Sequence, residues 1–220
     1  MKIIIYGNSD FAKLMYYYFS TDSHYEVLAF CVDRAYLKEN NLFDIPVVPF
    51  ETLEELYPPS SYKMFVAVGY RSMRVRKILF EKTKAKGYEH INYISSTVKI
   101  DKSHSIGTNN AFLSSVVLEP FVTIGNNNII NTGTIICHHA LIDNHCFIGA
   151  KSLIGGFTQI KECCFIGFSS TILQKLFIEK ETLIGAGSLM NRNSLAYTKY
   201  LGIPARMKNT HHKDGIKIED

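Results

Sequence analysis

The chain has 220 residues, 46% of them apolar, with a net charge of +4 at pH 7. That length allows one large or two small domains. No apolar run approaches the ~18 residues of a membrane span, and the opening MKIIIYGNSD lacks a signal-peptide pattern, so neither a membrane partner nor export is expected. Lys and Arg are scattered rather than striped, which speaks against nucleic acid. The cysteines, Cys31, Cys137, Cys146, Cys163 and Cys164, have no metal-type or oxidoreductase spacing and read as reduced cytoplasmic thiols.

Residues 1–93 alternate between strand-like and helix-like stretches. Lys2–Tyr6 reads as a strand ending at Gly7, Phe11–Phe19 as a helix, Tyr25–Val32 as a strand ending at Asp33, and Ile45–Val48 as a third short strand. Thr52–Tyr57 predicts one or two helical turns before Pro58, and Tyr62–Val68 a strand ending at Gly69. Ser72–Lys86 predicts an amphipathic helix with Val75, Ile78 and Leu79 on its apolar face, and Tyr88–Tyr93 a last strand. Such alternation implies a small parallel sheet. The turn Gly7-Asn8-Ser9 before a helix can hold a phosphate or ribose. It is no dinucleotide fingerprint, because Ser9 and Ala12 stand where glycines are required. Asp33, Gly69 and Arg71 follow strands on the same sheet edge, the usual ligand side.

From Ile94 the period changes. Every sixth residue to Met190 is large and apolar, over seventeen positions of which fourteen are isoleucine. Calling that position i, residue i−2 is usually small or β-branched (Val122, Thr134, Ala140, Ser152, Thr158, Ser170), as expected if both point inward from a short strand. At i+1 stand Gly107, Gly125, Gly149, Gly155, Gly167 and Gly185, read as residues that tolerate a left-handed corner. Strand and corner in blocks of six describe a wound prism filled by an Ile ladder. At i−1, which points outward, nine of eleven residues from Ile129 to Leu189 are apolar. Something must cover them.

This pattern resembles the hexapeptide-repeat, left-handed parallel β-helix proteins. The resemblance implies three hexapeptides per coil, parallel packing of prisms as a homotrimer, and an acyltransferase that uses acetyl-CoA. The expected domains are 1–93, an α/β unit; 94–191, the β-helix; and 192–220, a C-terminal tail, polar and frayed from 209. The string IICHHALIDNHCFIGAKSLIGG is similar to the N-acetyltransferases of nucleotide-linked amino sugars, the bacillosamine-pathway type, and to the sialic acid O-acetyltransferases. Matched residue by residue, His138 takes the place of the base and His139 that of an acidic neighbour, for which Asp143 or another subunit could substitute; His139 as the base is also open. Phe147 stands where the family often has a second histidine. Gly156, one coil after His138, offers an N–H to the thioester carbonyl.

The resemblance further implies acetyl-CoA contacts at Gly155, Gly156, Phe168 and Ala186, with Arg206 and Lys208 of the segment GIPARMK at its phosphates. It also implies a UDP- or dTDP-linked amino sugar at Gly7, Asn8, Ser9, Asp33, Gly69 and Arg71, with the product serving bacterial surface glycan synthesis. No metal is expected, because the spacing of His104, His138, His139 and His145 fits zinc poorly. The other readings are a sugar O-acetyltransferase and a non-catalytic hexapeptide-repeat subunit.

Overall fold

The computed structural model describes residues 1–218. It comprises two compact units, Met1–Gly69 with Ile78–Tyr93, and Tyr70–Lys77 with Ile94 onward. The first unit is a five-stranded sheet with helices. Its strands are β1 (Lys2–Tyr6), β2 (Glu26–Val32), β3 (Asn41–Leu42), β4 (Ile45–Pro49) and β5 (Lys63–Val66), in the order β3-β4-β2-β1-β5. β1 pairs in parallel with β2 and β5, and β2 with β4. Ile3, Ile4 and Ile5 are all fully buried, as expected of a parallel strand covered on both faces. Helix α1 (Asp10–Thr21) turns Ala12, Met15 and Phe19 into this core, the i, i+3, i+7 stripe of an amphipathic helix.

Three sequence expectations are corrected here. The edge strand β3 runs antiparallel to β4 through a two-residue turn in which Phe43 and Asp44 both have positive φ, a hairpin geometry that matches strand twist but lacks the usual Asn-Gly signal. Tyr88–Tyr93 is not one continuous strand: His90 makes an isolated bridge to Met64, and only Tyr93 is in a strand, the two-residue Tyr93–Ile94. The expected turns at Thr52–Tyr57 start earlier, as a 3₁₀ turn at Phe50–Thr52 followed by helix α2 (Leu53–Leu56).

Helix α3 (Met73–Ala85) differs more deeply from its expected face. Val75 and Ile78 are exposed, whereas Met73, Arg76, Phe80 and Thr83 are buried. Arg76 goes in because backbone carbonyls receive it: its guanidinium donates to Asn127 O at 2.6 Å, Cys146 O at 3.2 Å and His145 O at 3.4 Å. A buried charged group is tolerated when its donors are satisfied in this way. Burial lowers the Arg76 pKa to about 10, which still leaves it charged.

In the second unit, two-residue strands from Ser105–Ile106 to Leu189–Met190 stack in three parallel sheets, each strand pairing with the one eighteen residues on, as Ile129-Ile130 does with Phe147-Ile148. This is the left-handed β-helix. From Ile124 to Met190 every member of the ladder is at most 1% exposed, each contributing about 1.5–3 kcal/mol of burial. The ladder's first member, Ile94, is 38% exposed. Inward hydroxyls find carbonyls one coil on, as Thr158 Oγ1 does at Leu173 O, 2.9 Å.

The corners are built differently from the expectation. The left-handed residue is not the i+1 glycine but the residue at i+3, with φ between 50 and 70° at every sixth position from Asn109 to Gly187. Most are not glycine, and each such residue costs of order 1–2 kcal/mol, offset by the coil-to-coil hydrogen bonds that it permits. The i+1 glycines are there for closeness instead. A Cβ on Gly155 would lie 2.5 Å from Gln174 N, and one on Gly167 2.4 Å from Ala186 N, in the backbone of the next coil.

Nor is the C-terminal segment frayed, up to the last described residue. Thr198–Leu201 and Arg206–Thr210 form an antiparallel pair. Ile216 is buried, Ile218 N–H donates to Arg71 O, and Arg74 donates to His212 O, Lys213 O and Glu181. Glu219 and Asp220, which the frayed-tail expectation also covered, lie outside the described residues.

Candidate active site

His138 and His139 lie at i+2 and i+3 of one prism corner, and both are exposed. The stacking of coils puts Gly156 against His138: a Cβ on Gly156 would meet His138 Cε1 at 3.0 Å and Nε2 at 3.1 Å, so a side chain there would press on the imidazole. Phe157 N–H, next in the chain, donates to His138 O. Among the described residues no acceptor takes the Gly156 N–H. The two histidines face each other, Nδ1 to Nδ1, at 3.2 Å. His139 stacks on Phe157 with ring centres 4.6 Å apart and an interplanar angle of 14°, and Phe121, one coil earlier, lies 4.8 Å from it on a tilted plane.

A carboxylate does reach this corner, but it is not Asp143. Glu119 Oε2 accepts the His138 backbone N–H at 2.7 Å. The same carboxylate acts on the neighbouring Cys137 thiol, whose pKa is raised by partial burial first and by Glu119 second. Asp143 follows the strand Leu141–Ile142, on a different corner, beside Lys161. Burial raises the Asp143 pKa against the lowering by Lys161. Glu119 could have been found from the sequence by stepping back one coil, eighteen residues, from Cys137.

His145 sits on the same corner as Asp143, at its left-handed i+3 position. It is buried, its Nδ1 lies 3.0 Å from Asn127 Nδ2, and burial, then the charges of Arg76 and Lys77, lower its pKa to about 4. It is a neutral structural histidine. Phe147, in the position of the absent second histidine, is buried, stacks on Phe165 and meets Tyr70 on a tilted plane. Among the described residues no three His, Cys, Asp or Glu side chains are placed to hold a metal ion.

The remaining expected acetyl-CoA residues do not gather around His138 within one chain. Gly155 precedes Gly156 on its corner, while Phe168 and Ala186 stack on the corner after Phe165–Ile166 and Leu183–Ile184. Arg206 and Lys208 stand on the exposed strand Arg206–Thr210.

In the first unit, Gly7 ends β1 with φ of 127° and a Cβ there would lie 2.7 Å from Ala67 O, so this turn accepts no side chain. Ser9 caps α1 without a side-chain hydrogen bond. Asn8 Nδ2 donates to Tyr36 O at 3.3 Å and lines an open cleft of about 250 Å³ with Lys13, Tyr36, Lys38, Glu39 and Leu42. None of those five was picked out from the sequence; an exposed aromatic between two lysines is the signal that was available. Asp33 is engaged internally, since one oxygen accepts from Tyr6 OH and Lys82 Nζ, each at 2.6 Å. Burial would raise its pKa, but these hydrogen bonds outweigh burial and hold it below the ordinary value. Gly69 has only ordinary contact, with Phe11. Arg71 belongs to the second unit.

Two kinds of likeness bear on this geometry. Residues 2–83 match the PglD N-terminal domain family. Across nearly the whole chain the fold is that of a mutant GDP-perosamine N-acetyl transferase from Caulobacter crescentus, solved in complex with CoA and GDP-perosamine, at 24% identity over 95% of this chain and 97% of that one, TM-score 0.85. The acetyltransferase domain of PglB from Neisseria gonorrhoeae FA1090, in complex with acetyl coenzyme A, matches at 21% identity over 94% and 98%, TM-score 0.82. WeeI from Acinetobacter baumannii AYE matches at 23% over 94% and 100%, TM-score 0.81. A comparison with curated proteins gives no significant match. The PglD-type domain and the shared fold bear out the resemblance to the hexapeptide-repeat sugar acetyltransferases. Among the described residues no helix is long and apolar enough to cross a membrane.

Proposed function

We propose that the protein moves an acetyl group from acetyl-CoA to the amino group of a nucleotide-linked amino sugar. One observation carries the reading: His138 lies against Gly156, whose N–H has no acceptor among the described residues, at an exposed corner. That corner belongs to a fold shared with an N-acetyl transferase crystallised with CoA and a nucleotide sugar. The neutral amine attacks the thioester carbonyl carbon and a C–N bond forms. The Gly156 N–H stabilises the charge that develops on the carbonyl oxygen. His138 Nε2 takes the proton that the nitrogen loses. The C–S bond then breaks, and the same proton leaves with the sulfur, so amide and free CoA thiol are the products.

The nucleotide is assigned to the cleft beside Asn8, where the exposed Tyr36 ring offers a stacking face and Lys13 and Lys38 offer cations to a diphosphate. Gly7, Ser9 and Gly69 belong to the same reading as backbone contacts. Asp33, held by Tyr6 and Lys82, is better suited to shaping the turn than to binding. The active form is proposed to be a homotrimer. Val117, Ile135 and Leu153 form an exposed apolar stripe on one prism face, and a second copy would cover it and bring its Phe168–Ala186 corner to the His138 corner of the first. The free thiols agree with a cytoplasmic setting.

The test is an assay of the purified protein with acetyl-CoA and amino sugars linked to UDP, dTDP and GDP, with products identified by mass. The expected result is an N-acetylated product from one of them, lost in Gly156→Val. Acetylation of hydroxyl groups only, or no transfer to any of these acceptors, overturns the reading.

A further inference from the structure

We propose that His138 and His139 act as one unit, sharing a single proton between their Nδ1 atoms, with His139 as the positioning residue that keeps the His138 Nε2 lone pair free. This rests on the reading of His138 as the base, and adds the residue that selects its tautomer.

The Nδ1 atoms are 3.2 Å apart. At that distance one nitrogen must donate and the other accept, because two hydrogens or two lone pairs would repel. Neither ring is at liberty to turn away. His139 is packed between Phe121 and Phe157, at a left-handed corner with φ of 60°. His138 is fixed from three sides: its backbone N–H on Glu119 at 2.7 Å, its ring edge-on to Phe157 at 5.2 Å, and Gly156 beneath. With the shared proton on His138 Nδ1, the lone pair is on Nε2, the nitrogen that lies against Gly156. When Nε2 gains the substrate proton, the Nδ1–H to His139 bond becomes charge-assisted and strengthens. In the neutral pair the opposite arrangement puts the hydrogen on His139 Nδ1 and leaves the His138 lone pair facing His139, useless as a base.

The test uses the full chain labelled with ¹⁵N-histidine and the variants His139→Phe and His139→Glu. Phe keeps the stack with Phe121 and Phe157 and removes the acceptor, whereas Glu restores an acceptor of the carboxylate kind. In long-range ¹H–¹⁵N spectra above neutrality, His138 is expected as the Nδ1–H tautomer in the wild type and in His139→Glu, and as the Nε2–H tautomer in His139→Phe. In turnover, His139→Phe is expected to lose about 10²-fold in kcat with KM for acetyl-CoA unchanged, and His139→Glu to recover most of it. An Nε2–H tautomer of wild-type His138 overturns the proposal whatever the reaction is. Wild-type kcat in His139→Phe overturns it while leaving acetyl transfer standing. Should no acceptor be acetylated, the spectra still decide.

Discussion

Two faces of the same prism carry the same outward pattern and meet different fates. On one face Ile129, Phe147, Phe165 and Leu183 are 2–8% exposed; on another Val117, Ile135 and Leu153 are 36–49% exposed. All are apolar, all sit at i−1, and all repeat every eighteen residues. The first face is covered from within its own unit, where the Tyr70 ring lies tilted against Phe147 and Phe165, while Arg74 and Arg76 tie the 70–77 segment to the C-terminal segment and to the coil corners. The second has no such cover among the described residues. Periodicity therefore tells which side chains point outward, but not which of them leave water.

The comparison can be broken from the covered side first. Phe147→Ala is expected to cost about 3–5 kcal/mol of unfolding free energy, measured by denaturant titration; a loss near zero would mean that the cover over Phe147 contributes nothing. The same covered side holds His145, whose pKa burial depresses to about 4. The sign follows from linkage. The unfolded chain binds a proton there below ~6.5 and the folded chain does not, so the stability present above ~6.5 is lost as pH falls to ~4, by about 3 kcal/mol. His90 in the first unit, depressed mainly by burial and also to about 4, acts in the same direction. His145→Asn should flatten the slope of unfolding free energy between pH 7 and 4 by its share and leave that of His90; an unchanged slope refutes the assignment.

At the corners, Gly155→Ala should cost about 1–3 kcal/mol, because its Cβ would press on the Gln174 backbone. Gly187→Asn, at φ of 65° with nothing within 4 Å, should change the melting temperature little. Equal effects of the two would mean that closeness and backbone handedness are not separable at these corners. The smallest effect on the fold itself is expected on the open face. Leu153→Lys should change single-chain stability by less than ~0.5 kcal/mol yet lower the mass in light scattering toward the 25.0 kDa of one chain. A wild type already at that mass removes the trimer.

How far the site was legible follows from the same contrast. The stacking of Gly156 on His138 could be read by counting eighteen residues, because coil register is strict. Glu119 obeyed the same count and was missed for want of stepping backward. Asp143, His145 and Phe147 were near His138 only along the chain; each coil has three corners, and six residues are enough to leave one corner for the next. In the first unit, Asp33 looked like a ligand contact from its place at a strand end, but Lys82, forty-nine residues on, claims it. Arg76 and Ile78 on α3 exchange the fates that amphipathic reading gave them, because distant carbonyls of Asn127, His145 and Cys146 can satisfy a guanidinium.

By itself, the sequence determined the prism, its coil length, its inward ladder and the pairing of a histidine corner with a glycine one coil on. All of these follow from a period that each hexapeptide repeats locally. Only the tertiary structure decided which outward face is covered, where the left-handed backbone falls, which carboxylate reaches His138, and that His138 and His139 meet Nδ1 to Nδ1. Those depend on ring planes and hydrogen-bond partners brought together from separate coils and from segments far apart in the chain, and no local pattern encodes them.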